Sequence, residues 1–89
     1  MSYIYARKKM HLALISLVGP GTMQTRLHGA IKSQLNHISP KADLPEELQQ
    51  EFSLLMSACR DADTASDNEA EYCARQIVNL NEKMHDARH

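Results

Sequence analysis

The 89-residue chain has no tryptophan and a single phenylalanine, so any core must be built from aliphatic side chains and its five methionines. Only three glycines and three prolines occur, with no low-complexity tract, which excludes a fibrous or linker-like polypeptide. Two cysteines are too few to staple a small secreted scaffold. They point to a reducing, cytoplasmic setting in which Cys59 and Cys73 pack as thiols, a bridge between them being the alternative. No apolar run approaches the roughly 20 residues of a membrane span, so no membrane partner is expected. Arg7, Lys8 and Lys9 ahead of Met10 to Val18 have the outline of a secretory signal. His11 and Ser16 interrupt that stretch, however, and no small-residue cleavage site precedes Gly19, so the segment reads as part of the fold.

The most informative absence is of charge of one sign. Residues 1–42 hold six Lys or Arg and no Asp or Glu, whereas residues 43–89 hold all eleven acids against four Lys or Arg. The formal net charge of −1 conceals this division. Two consequences are open: the halves neutralise each other internally, or they display opposite surfaces that steer a partner.

What the chain does have is helical period. Tyr3, Met10, Leu14, Leu17 and Val18 share one face of a first helix over about 3–18, with Ile4 and Ile15 at its edge. Gly19-Pro20-Gly21 stops it, Gly19 being the expected left-handed residue. Thr22 is the expected cap of a second helix, about 23–38, striped by Met23, Leu27, Ala30, Ile31, Leu35 and Ile38. Asp43-x-x-Glu46, with Pro45 in the first turn, opens a third over about 44–60, where Leu44, Leu48, Phe52, Leu55, Met56 and Cys59 align. Ser66-x-x-Glu69 opens a fourth, about 67–87, with Ala70, Cys73, Ala74, Ile77, Leu80 and Met84 facing inward. No stretch alternates as a half-buried strand does. The expected fold is all-α, a compact antiparallel four-helix bundle-like domain covering residues 1–89.

No catalytic motif, phosphate loop or metal-ligand spacing can be assembled, so no enzyme, cofactor or metal is expected. His85 and His89 stand four apart but read as a solvated tail that suits a helix C-terminus. Arg7 and His11 intrude on the apolar arc of the first helix, and Arg7 is expected to reach the rim or pair with a carboxylate of the third or fourth helix. The function these features favour is a non-catalytic protein-protein interaction module, an accessory or regulatory subunit whose partner is another protein or a second copy. Its expected docking flank is Tyr5 and Leu12, off the core arc of the first helix, with Lys8 and Lys9 beside them. The alternative is nucleic-acid binding through Arg26, His28 and Lys32 on the polar face of the second helix, the first two helices and their turn acting as a helix-turn-helix.

Overall fold

The apolar stripes form five α-helices: α1 (Ile4–Leu17), α2 (Met23–Ser33), α3 (Pro40–Asp43), α4 (Glu46–Ala58) and α5 (Asp67–Asp86). This is the arrangement in a computed structural model that describes residues 3–86, with side chains as far as Met84. Short 3-10 turns at Leu35–His37 and Ala62–Thr64 complete the elements, and no strand occurs among the described residues. The chain is all-α as expected, and α1, α2, α4 and α5 each lie within one of the four expected segments, with α3 and the two 3-10 turns between them.

The second segment departs from its predicted length. Instead of running to Ile38, α2 stops at Ser33, Gln34 turns to φ −121° and ψ −58°, and the chain tightens into the first 3-10 turn. A residue before proline avoids helical backbone, and Ser39 is accordingly extended while Pro40 opens the four-residue α3. Asp43 then serves α3: its carboxylate accepts the Ser39 N–H at 2.8 Å, so it does not open the next helix as its spacing to Glu46 had implied. Leu44 is extended, Pro45 occupies the cap position of α4, and that helix begins at Glu46 with two acids in its first turn, where they suit the dipole.

Two other helix starts follow the sequence closely. Thr22 Oγ1 accepts the Thr25 N–H at 3.1 Å. Ser66 and Glu69 form a reciprocal box: the Ser66 N–H donates to Glu69 Oε1 at 3.0 Å, and the Glu69 N–H donates to Ser66 Oγ at 3.2 Å. At the end of α1, the left-handed residue is Gly21 (φ 103°) and not Gly19, so the reversal sits two residues later than expected.

The core lies where α5 meets α1, α2 and α4, with α1 also laid along α2 and the Ala62–Thr64 turn seated on α2. Leu27 and Ile77 are fully buried and Phe52 nearly so. α1 is rotated from its expected setting. Its buried face is Ala6, Met10, Ala13 and Leu17, Tyr3 and Leu14 only pack against the margin, and Val18 is 80% exposed. Because α1 is apolar on nearly every side, period alone does not choose the face. Two alanines seven residues apart do, by letting α2 and α5 approach its backbone.

Cys59 and Cys73 are both buried and are joined as a disulfide, with 5.9 Å between their Cα atoms. Their proximity matches the alignment of the stripes; the bond replaces the packed thiol pair expected from composition. It closes the hairpin between α4 and α5 across the second 3-10 turn.

Candidate functional site

The division of charge is not resolved by pairing across the halves. Among the described residues the ion pairs are Lys83 with Glu51 and Arg75 with Glu71, each at 2.8 Å, and all four residues belong to the acidic half. Arg7 meets no carboxylate of α4 or α5 among the described residues. It is half-buried, and its Nε, like Oε1 of Gln34, is enclosed without a hydrogen-bond partner there. Of the two expected settings for Arg7, the rim and a carboxylate partner, the second does not occur among the described residues. Among the described residues the division is crossed by hydrogen bonds instead: Gln24 Nε2 donates to the Ala65 carbonyl at 3.1 Å and to Asp67 Oδ1 at 2.8 Å, and the Asp43 carboxylate accepts the Ser39 N–H.

The outward side of α1 is the largest departure from an ordinary polar surface. Away from the buried Ala6–Ala13 face lie Ile4 (68% exposed) and Ile15 (52%), with Val18, just past the helix end, at one edge and Tyr5 at the other. Lys8 is exposed within this face, and the Lys9 ammonium rests 5.6 Å from the centre of the Tyr5 ring. Leu12, expected to be exposed, is half-buried and forms the shoulder of the face. The structure thus brings Tyr5, Lys8, Lys9 and Leu12 onto one side of α1, and adds three apolar residues that periodicity had placed in or beside the core. No acid occurs on α1 at all.

The second set of expected residues is split. Arg26 donates from Nη1 to the Leu17 carbonyl at 2.9 Å and from Nε to the Thr22 carbonyl at 3.4 Å, closing the end of α1 onto the start of α2. It lies on a different side of α2 from His28 and Lys32. Those two line a groove of about 460 Å³ with Arg60, which follows α4. Arg60 escaped sequence reasoning because it stands in the acidic half, and nothing in local spacing ties it to α2. Elsewhere Leu54 and Tyr72 are singly exposed, as their positions off the stripes implied.

Among the described residues no three His, Cys, Asp or Glu side chains converge as a metal site would require, and no helix is long and apolar enough to cross a membrane. The His85 and His89 pairing falls on side chains outside the described residues. One carboxylate is held below its ordinary value of 4.5: Glu69 accepts the Ser66 backbone N–H and is further lowered by the Ser66 hydroxyl, so its charge serves the start of α5. Compared with protein-family models, curated proteins and solved structures, the chain matches none.

Proposed function

We propose that the four longer helices, taken as an antiparallel bundle-like scaffold, present α1 as the docking surface of a non-catalytic protein-interaction module, an accessory or regulatory subunit. The observation that carries this reading is the outward face of α1, where Ile15 and Val18 stand in solvent with Tyr5 and the cations Lys8 and Lys9. Side chains of this kind bind by burying apolar area at the centre of a contact while charges at the rim steer approach. A basic helix without acids fits a partner segment with an apolar centre and carboxylates at its edge. The nucleic-acid alternative has less behind it, because Arg26 is occupied at the end of α1 and leaves the remaining pair to a small groove.

The setting we attach to this proposal is the cytoplasm, on the low cysteine usage. In that compartment the Cys59–Cys73 bond would be open, and acid-quenched thiol labelling of the protein in its cells reads its state. Docking is tested by comparing the wild type with Tyr5→Ala/Ile15→Ser in capture from source cells, followed by amide-shift mapping with the recovered partner. A partner lost by the variant and mapped to α1 is the expected result. One retained equally by both, or mapped elsewhere, overturns the reading. Light scattering of the same two proteins identifies a second copy as the occupant if a wild-type dimer dissociates in the variant.

A further inference from the structure

The groove between α2 and the end of α4 has a composition that packing does not require. Lys32 reaches it from the last turn of α2 and Arg60 from just beyond α4, and His28 stands one helical turn before Lys32. Each cation by itself suits the negative end of a helix. Their convergence from two elements on one groove is a separate fact. Among the described residues the side chains of Lys32 and Arg60 have neither an ion pair nor a hydrogen bond, and no carboxylate lines the groove. The adjoining acid, Asp61, faces a different hollow beside the disulfide, where its carbonyl accepts from the Thr64 N–H and hydroxyl. The floor is apolar: Ile31 is nearly buried and Met56 half-buried.

We propose that this groove binds a small organic phosphate, a monoester whose head is held by Lys32 and Arg60 and whose flat or apolar body lies on Ile31 and Met56. A phosphate monoester carries about −1.5 to −2 charge near neutrality, which two permanent cations match. The Arg60 guanidinium offers a planar fork to two phosphate oxygens, Lys32 supplies a point charge, and Ser57 at the wall has a hydroxyl to donate. The methionine thioether is polarizable and adapts to a planar ring. The volume of about 460 Å³ lies within the roughly 300–1,000 Å³ typical of small-ligand sites, which favours a small molecule.

The test is an amide-shift titration of the full chain at low salt with adenosine 5′-monophosphate, adenosine and inorganic phosphate in separate arms. The monophosphate is expected to move resonances around His28 to Lys32 and Met56 to Arg60, and to bind more tightly than either fragment. Lys32→Gln and Arg60→Gln should each weaken it about tenfold, the loss expected on removing a charge-assisted contact. Ser57→Glu, an exposed substitution that leaves both cations in place, should weaken it at least as much. Tyr5→Ala should leave it unchanged, which separates this site from docking on α1. Shifts scattered over Lys8, Lys9 and Lys41, equal binding of inorganic phosphate, or variants that bind as the wild type does would each overturn the proposal.

Discussion

From α4 to α5 the side chains hold one another, through the Cys59–Cys73 bridge, the Lys83–Glu51 ion pair and the reciprocal Ser66–Glu69 box. From α1 to α2 the fastening is apolar contact, with a few side chains closing main-chain ends: Thr22 at the start of α2 and Arg26 at the end of α1. Several acids of the second region therefore have partners inside the molecule. Lys8 and Lys32 of the first have none among the described residues, and Lys9 meets only the face of Tyr5. The contrast teaches that a chain of nearly zero net charge can keep a positive surface in reserve, because the ion pairs among the described residues join acids to cations of their own half.

The largest test of this contrast is covalent. Replacing both cysteines in Cys59→Ala/Cys73→Ala releases a crosslink over a sequence separation of 14, and urea unfolding should show a loss of about 3 kcal/mol relative to the oxidised wild type. Unchanged stability would break the comparison, since the acidic half would then owe its order to packing alone. A smaller effect of opposite sign is expected in the basic half. Gly29 sits within α2 and a Cβ there would meet nothing within 4 Å, so Gly29→Ala should raise stability by roughly 0.5–1 kcal/mol through helix propensity. A decrease in the thermal midpoint would show that α2 is already constrained at that point.

The smallest effect sharpens the comparison by pH. Glu69 has a lowered value in the folded chain, so its ionised box contributes fully above the ordinary value of 4.5 and is lost as pH falls through the folded one. Melting curves between about pH 6 and pH 3 should therefore decline less steeply for Glu69→Gln than for the wild type. Parallel profiles would mean that the Ser66 hydroxyl alone starts α5.

The stripes of α2, α4 and α5 were legible because each has a single apolar side: Leu27, Phe52 and Ile77 are buried as their spacing implied. α1 was legible as a helix but not in its orientation. Because Ile4, Ile15 and Val18 are apolar on the side away from the buried face, large residues outvoted the small Ala6 and Ala13 in setting the inner face. The break after Ser33 was hidden for a different reason: Leu35 and Ile38 remain buried through a 3-10 turn and an extended step, so an unbroken stripe concealed a broken helix. Cys59 and Cys73 were readable as neighbours, since they close two inward stripes at one hairpin, whereas composition argued against the bond. Of the proposed surfaces, Tyr5, Lys8, Lys9 and Leu12 could be grouped from sequence because they are local to one helix. The groove could not, because Arg60 joins His28 and Lys32 only through the way the end of α4 settles beside α2.

Ala6 and Ala13 are fully buried, so a larger side chain at either has to displace whatever packs on the inner side of α1. The outer side carries no such restriction. A lineage or an engineer is therefore free to rewrite the solvent half of this helix while the interior stays as it is.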